Sequence, residues 1–206
     1  MVRTLFVLAA VAVAAAGVGV AVAADDDTGV NEDGFITTWL MLAPFPFGEG
    51  DEAGKVLDAE QVKDEAKLAP KEGDKVKAGD KELTWVKHKA KDYFFDFNAQ
   101  LGAVTERSTG YVVCYVVADA DLPGLTMKVG SDDMCKIYLN GKEIHKATDE
   151  RPLEKDQDTV GDVALKKGTN VLVVKVVNTI IDWSGCVRFV DKDGKPVTKI
   201  KVQLAK

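Results

Sequence analysis

Residues 111–117 read YVVCYVV, and residues 170–177 read NVLVVKVV. Side chains alternate between the two faces of a β-strand, so each of these runs is apolar on both faces. Strands of this kind lie in the centre of a sheet, with an opposing sheet against one face and a second cover against the other. A helix, the loop around Phe45 and Pro46, or a partner protein could supply that second cover.

Further short runs rich in β-branched and aromatic residues surround these two, separated by Gly, Asp, Asn and Pro. They are FITTWLMLAPFPF (35–47), ELTWV (82–86), YFFDF (93–97), LTMKV (125–129), CKIYL (135–139), KEIH (142–145), DVAL (162–165), CVRFV (186–190) and IKVQL (200–204). Asn140 and Gly141 tolerate the positive φ angles of a two-residue hairpin turn, so CKIYL and KEIH are predicted to pair. This spacing predicts an all-β fold built from antiparallel strands, as in a sandwich or barrel.

One short helix is predicted between Asp58 and Ala69. Asp58 suits the N-cap, Gln61 occupies the third position of a capping box, and Leu57 and Val62 match a hydrophobic staple. Pro70 follows Ala69 directly and would end the helix there.

The N-terminal residues 1–24 have the layout of a secretory signal peptide. Arg3 precedes an uncharged run, and small residues at Ala21 and Ala23 suit cleavage. An uncleaved membrane anchor is the alternative, and it is the only route by which we expect membrane contact. Residues 25–34 then read as an acidic, flexible leader, and residues 35–206 as the folded domain. We therefore expect a secreted or periplasmic protein.

Composition excludes several functional classes. The chain has 206 residues, of which 46% are apolar and 29% charged, with a net charge of −6. This acidic, mixed-sign surface disfavours nucleic acid as a partner. Three cysteines are too few for a disulfide scaffold, and Cys114, Cys135 and Cys186 all fall in strand-like runs. Buried thiols are expected, and one disulfide among them remains open.

The chain resembles a known family through the order of several segments. These are WLMLAPFPF (39–47), EAKLAPKEGDKV (65–76), LTWV (83–86), VGSDDMCKIYLNGKEIH (129–145), DVALKKGTNVLVVKV (162–176) and WSGCVRFVDKDGKPV (183–197). In this order they resemble the galactose-binding-domain-like jelly roll of exported bacterial proteins, and the sugar-binding domain of family 2 glycoside hydrolases is similar. The resemblance covers about Phe35 to Leu204. It implies a two-sheet jelly-roll β-sandwich that binds or braces and does not catalyse.

The residues and the resemblance together predict a non-catalytic exported binding module, with carbohydrate or a glycan-bearing surface as its ligand. A structural or protein-interaction domain, for instance for a cell-surface protein, is the alternative. Enzymatic activity is not expected, because the sequence nominates no paired carboxylates and His88 and His145 read as solvated or edge residues. No cofactor is expected apart from a possible structural calcium ion.

Four residues are candidates for ligand contact. Trp183 lies between Asp182 and Ser184 in a loop, where it could be an exposed platform for a sugar or a plug for the end of the sandwich. Tyr138 has the opposite strand parity to its apolar neighbours and is expected to be partly exposed. Asp132 and Asp133 are expected to cap backbone N–H groups; alternatively, they supply oxygen ligands to calcium, as the resemblance to PA14-type domains implies.

Overall fold

A computed structural model describes residues 28–206 of the chain. The predicted signal peptide, residues 1–24, lies outside the described residues, as does the start of the predicted leader. The remainder of that leader is joined to the domain: Val202 N donates to Thr28 O at 2.7 Å, and Thr37 N donates to Gly29 O at 2.9 Å. The domain thus includes residues before the predicted start at Phe35. Between residues 28 and 206, no helix has both the length and the apolar character needed to cross a membrane.

The described chain is built mainly from strands. They are β1 (Thr38–Pro46), β2 (Lys75–Ala78), β3 (Lys81–Thr84), β4 (Val86–Lys89), β5 (Phe95–Asp96), β6 (Ser108–Ala118), β7 (Leu122–Asp132), β8 (Met134–Leu139), β9 (Lys142–Ala147), β10 (Asp158–Leu165), β11 (Gly168–Asn178), β12 (Ser184–Val190) and β13 (Ile200–Gln203). Two short helices, α1 (Ala53–Asp58) and α2 (Phe97–Leu101), and a 3-10 turn (Glu65–Lys67) complete the elements. The prediction of an all-β fold is confirmed, with two short helices where one was expected.

The strands pair antiparallel in two stacked sheets. The larger sheet has the order β4-β1-β6-β11-β8-β9, with β13 also paired to β6, and the smaller has the order β10-β7-β12-β5. Strands β5 to β12 alone give β5-β12-β7-β10 in one sheet and β6-β11-β8-β9 in the other, which is jelly-roll topology. A separate hairpin, β2–β3, lies outside both sheets.

Strands β6 and β11, which are apolar on both faces, lie side by side in the middle of the larger sheet. Val112, Cys114 and Val116 of β6 belong to the core between the sheets. Tyr111 and Tyr115 point to the other face and belong to a second apolar cluster. Both faces are therefore buried, as the sequence predicts.

The second cover comes from the chain itself, from the segment between β1 and β4. Val62, Trp85 and the partly buried Leu83 pack over Tyr111 and Val173 on the outer face of the larger sheet. Leu57 of α1 makes a neighbouring cluster with Val177. We call residues 53–85 the cover segment.

A buried ion pair fastens the cover segment to the sheet. Lys175, the only charge within NVLVVKVV, is fully buried and lies 3.1 Å from Glu65 Oε2, with Glu65 only 2% exposed. The Lys175 ammonium also donates to the carbonyl oxygens of Leu57 and Ala59. The Tyr111 hydroxyl donates to the Glu65 carboxylate at 2.6 Å. Burial lowers the pKa of Lys175, and the charge of Glu65 opposes that effect.

The predicted helix from Asp58 to Ala69 is wrong. Helix α1 ends at Asp58, and the chain continues irregularly to the 3-10 turn at Glu65–Lys67. The Asp58 carboxylate caps no helix because it binds the ammonium groups of Lys136 and Lys146, at 2.7 and 2.6 Å. These tertiary contacts and those of Lys175 outweigh a local helical preference that is worth little in a short segment.

Several local predictions are confirmed. Asn140 and Gly141 both have positive φ, 52° and 82°, in the turn between β8 and β9. Beyond the predicted features, the side chain of Asn170 accepts from Lys166 N at 2.9 Å and donates to Lys166 O at 2.8 Å, so it organises the turn before β11. All three cysteines are buried and free, so the disulfide left open by the sequence is not formed.

Replacing Lys175 tests the anchoring of the cover segment. We expect Lys175→Met to lower the free energy of unfolding by about 3–5 kcal/mol, because it leaves the Glu65 carboxylate buried without a counter-charge. Urea denaturation measures the change. Lys201→Met, at an exposed position of β13, is the matched control and is expected to change stability by less than about 0.5 kcal/mol. A loss below about 1 kcal/mol for Lys175→Met would contradict the anchoring role.

Candidate functional site

Trp183 does not form an exposed platform. It is 1% exposed, and its ring stacks on Phe97 with 4.3 Å between centroids. Gly110 of β6 leaves the room for it, because a Cβ there would lie 2.8 Å from Trp183 Cζ2. Of the two interpretations from the sequence, the one in which Trp183 plugs the end of the sandwich agrees with the structure. The interpretation of Trp183 as an exposed platform for a sugar is wrong.

Tyr138 is also buried, contrary to the expected partial exposure. It is 7% exposed, and its hydroxyl donates to Glu65 Oε1 at 2.7 Å. Strand parity placed its side chain on the outer face of the larger sheet, but the cover segment closes that face. Tyr138 therefore belongs to the Lys175–Glu65 network and is not available to a ligand.

Asp133 caps the loops at one end of the sandwich. Its Oδ2 accepts from Thr179 N and Oγ1 at 2.8 and 2.7 Å, and its Oδ1 accepts from Arg151 N at 3.1 Å. The predicted capping role is therefore observed. Within residues 28–206, the only group of three His, Cys, Asp or Glu side chains close enough to share a metal ion lies elsewhere. Calcium at Asp132 and Asp133 would need further ligands from backbone or water.

Asp132 contributes a buried carboxyl to the same end of the molecule. Desolvation raises its pKa to about 6, the charges of Asp133 and Asp182 add to the increase, and a hydrogen bond from the Leu153 backbone opposes it. The surrounding residues enclose a shallow cleft of about 310 Å³, which we call the tip cleft; they are Asp132, Asp133, Glu150, Arg151, Pro152 and 179–182. Ile180 and Ile181 are 58% and 57% exposed there.

A second cavity, of about 330 Å³, lies at the side of the sandwich. We call it the side pocket, and it is lined by His88, Lys89, Ala90, Lys91, Asp92, Phe94, Asp96, Ala99 and Gln100. Phe94 is half-buried and supplies an aromatic surface, and His88 is the most deeply buried lining residue, at 8% exposure. An aromatic side chain beside hydrogen-bonding groups is the arrangement that sandwich proteins need to bind sugars.

Local folding rules position the side pocket. Strand β4 is the edge of the larger sheet, and His88 lies opposite Trp39 of β1, so its ring is on the inward face. Helix α2 forms the other wall. Asp96 caps this helix by accepting from Ala99 N at 2.9 Å, and Gly102 ends it in the left-handed conformation, with φ of 72°.

The polar groups of the side pocket carry balanced charge. Two lysines, Lys89 and Lys91, face two acids, Asp92 and Asp96, around the cavity. His88 Nδ1 lies 2.9 Å from Gln100 Oε1. If that amide oxygen accepts, the imidazole carries its proton on Nδ1 and leaves a lone pair on Nε2. Nε2 is buried and has no hydrogen-bond partner within residues 28–206.

Two local signals in the sequence indicate elements of the side pocket. In VKHK, Val86 and His88 share one strand parity and Lys87 and Lys89 the other, which indicates an inward His88. In DFNAQLG (96–102), Asp96 and Gly102 are an N-cap and a C-terminal stop for a short helix, which begins at Phe97, the last residue of the predicted strand 93–97. Comparison with known proteins finds no matching family model and no matching curated protein.

Asp132 makes stability depend on pH in an identifiable direction. Its pKa rises from an ordinary 3.8 to about 6 on folding. The native state therefore holds a proton that the unfolded chain releases, so stability falls as pH rises through this range. We expect Asp132→Asn to raise the free energy of unfolding at about pH 7.5 by on the order of 2 kcal/mol, and the gain to vanish as pH falls below the ordinary pKa of 3.8. Denaturation at a series of pH values measures it.

Asp58 provides the control of opposite sign. Hydrogen bonds from Lys136 and Lys146 lower its pKa to about 2, so its stabilisation is present above its ordinary pKa and is lost as pH falls towards 2. Asp58→Asn is therefore expected to lower stability at neutral pH. If Asp132→Asn and Asp58→Asn change the free energy of unfolding in the same direction at every pH, the raised pKa of Asp132 and the lowered pKa of Asp58 are both contradicted.

Proposed function

We propose that this protein is a non-catalytic binding module that holds a carbohydrate in the side pocket. The observation that carries the proposal is the grouping of the Phe94 ring with polar side chains of His88, Asp96 and Gln100 around one cavity. A pyranose ring offers an apolar face to an aromatic side chain and hydroxyls to polar groups at its rim. Export, as the first 24 residues suggest, would bring such a module to extracellular or periplasmic glycans.

The charge balance of the side pocket supports an uncharged ligand. Lys91 and Asp92 are both exposed at its rim, so neither sign of charge dominates. A phosphate or a carboxylate ligand would be expected to select an excess of basic groups. The buried Nε2 of His88 is an unsatisfied polar atom, and a hydroxyl or water that reached it would relieve its desolvation cost.

The ionisation of the cysteines supports a role without covalent catalysis. Cys135 lies beside His145 and Asp158, an arrangement that could serve a nucleophile. Burial raises the pKa of Cys135 to about 11, however, so the thiol is protonated at neutral pH. Burial likewise raises the pKa of Cys186 to about 12.

The tip cleft supports a second candidate function, protein interaction. Ile180 and Ile181 are large apolar residues exposed side by side, next to the acids Asp132, Glu150 and Asp182. Ile181 has φ of 58°, a conformation unfavourable for a β-branched residue, and Asn98 Nδ2 donates to its carbonyl oxygen at 2.7 Å. A protein partner for this surface would present apolar and basic side chains.

Glycan-array binding followed by calorimetry tests the first function. We expect Phe94→Ala to weaken carbohydrate affinity by at least roughly tenfold, because about 1.4 kcal/mol of aromatic contact is lost. Phe47→Ala is the matched control: Phe47 is also half-buried, but it packs beside Arg107, and its loss is expected to leave affinity unchanged.

The two functions predict different outcomes. Carbohydrate binding that survives Phe94→Ala in a folded protein contradicts the side pocket as its site. Failure of the wild-type chain to bind any glycan contradicts the first function. The second function instead predicts capture of a cell-surface protein that is lost in Ile180→Ser/Ile181→Gly and unaffected by Phe94→Ala.

A further inference from the structure

Three metal-binding side-chain types meet at the edge of the sandwich opposite the side pocket. Cys135, His145 and Asp158 each place one ligand atom within 4.8 Å of the other two, and residues 28–206 contain no other such group. Thiolate, imidazole and carboxylate together form a donor set that suits zinc and related divalent transition metals.

The fold brings these side chains together from both sheets. Cys135 on β8 and His145 on β9 lie near the edge of the larger sheet, where His145 is opposite Ile137. Asp158 begins β10, the edge strand of the smaller sheet. Cys135 is fully buried, whereas the His145 and Asp158 side chains are 15% and 20% exposed. The cluster therefore has a buried sulfur end and a solvent-reachable nitrogen and oxygen end.

The separations match a tetrahedral site after small side-chain movements. His145 Nε2 lies 3.0 Å from Asp158 Oδ2. Zinc bonds of about 2.0–2.1 Å to nitrogen or oxygen and 2.3 Å to sulfur place tetrahedral ligand atoms roughly 3.3–3.6 Å apart. The nitrogen and oxygen need to separate slightly to admit an ion, and the sulfur, within 4.8 Å of both, needs to approach by at most about 1.3 Å.

We propose that Cys135, His145 and Asp158 form a binding site for a zinc-type divalent metal ion. The ion binds Cys135 Sγ, His145 Nε2 and Asp158 Oδ2 and occupies the place of the hydrogen between His145 and Asp158. Water from the exposed side completes the fourth position, because only three His, Cys, Asp or Glu side chains of residues 28–206 come together here.

Arg151 acts as a positioning residue for this site. Its guanidinium donates to both carboxylate oxygens of Asp158, through Nη1 at 3.0 Å and through Nη2, which also donates to Ser131 Oγ at 2.9 Å. Hydrogen bonds of this kind orient metal-ligating carboxylates in other proteins. One thiolate and one carboxylate together match the charge of the divalent ion, and the Arg151 guanidinium adds one positive charge beside them.

Metal binding must displace protons from the protein. The Cys135 thiol loses its proton to solvent and becomes a thiolate, and His145 binds as a neutral imidazole with its proton on Nδ1. Because the ligand is the thiolate, metal binding competes with the proton of Cys135 and strengthens as pH rises.

Cobalt(II) binding tests the proposal. The protein is first treated with EDTA to remove bound metal, and circular dichroism then checks that it is folded. We expect one Co²⁺ per chain, a thiolate-to-cobalt charge-transfer band in the near ultraviolet, loss of that band on adding Zn²⁺, and a higher Tm with Zn²⁺. Cys135→Ser is expected to remove the band. Cys186→Ser, which alters another buried thiol, is the matched control and is expected to keep it.

Variants at the partly exposed ligands keep the test informative if Cys135→Ser does not fold. His145→Gln and Asp158→Asn are each expected to weaken Zn²⁺ affinity by at least about tenfold, while circular dichroism confirms the β-sandwich. A wild-type chain that gives no charge-transfer band and no Tm shift with Zn²⁺ overturns the proposal. So does a band that persists in Cys135→Ser, or a Zn²⁺ affinity unchanged in both other variants.

Discussion

Burial of both faces of β6 and β11 is the constraint on which the rest of the structure depends. Strands that are apolar on each face must be covered twice. The smaller sheet covers one face of this pair, and the cover segment, residues 53–85, covers the other. The architecture therefore has three layers over its centre: the two stacked sheets and the cover segment, which includes the β2–β3 hairpin. Most of the irregular chain between β1 and β4 is explained by this need, because it must spread over the sheet and cannot extend away from it.

The single charge in that apolar centre decides how the cover is attached. Lys175 is fully buried in β11, and burial of an unpaired ammonium would be prohibitive. Glu65 supplies the counter-charge and accepts one hydrogen bond from the Lys175 ammonium. The backbone carbonyls of Leu57 and Ala59 accept the hydrogen bonds from its other N–H groups. The cover segment must turn its backbone and one carboxylate inward, which a regular helix over Asp58–Ala69 could not do. Two tyrosine hydroxyls then satisfy Glu65, so Tyr138 is committed to this network.

The sequence predicted the features that depend on near neighbours and missed those that depend on distant ones. Strand alternation identified β6 and β11, and the turn residues Asn140 and Gly141 identified a hairpin, because both signals are local. Trp183 was ambiguous because its burial requires Phe97 and Gly110, which are remote in sequence. The prediction of a helix over Asp58–Ala69 was wrong for the same reason, because contacts with Lys136, Lys146 and Lys175 determine the path of the chain in that segment. His88 and helix α2 had local signals, but their meeting at one cavity required the pairing of β4 with β1.

The distribution of polar side chains follows from the same constraint. In the larger sheet β4 and β9 are the two edges, and in the smaller sheet β5 and β10 are. The side pocket lies where β4 meets helix α2, directly after β5, and the Cys135–His145–Asp158 cluster lies where β9 meets β10. At these two margins the sheets end, so titratable groups can be half-buried, fixed by neighbouring strands and still reached by solvent. The centre offers no such place, because a charged group buried there needs a counter-charge and hydrogen-bond acceptors, as Lys175 has. The ligand and metal sites that we propose therefore lie at the open edges of the sandwich and in the loops at its tip.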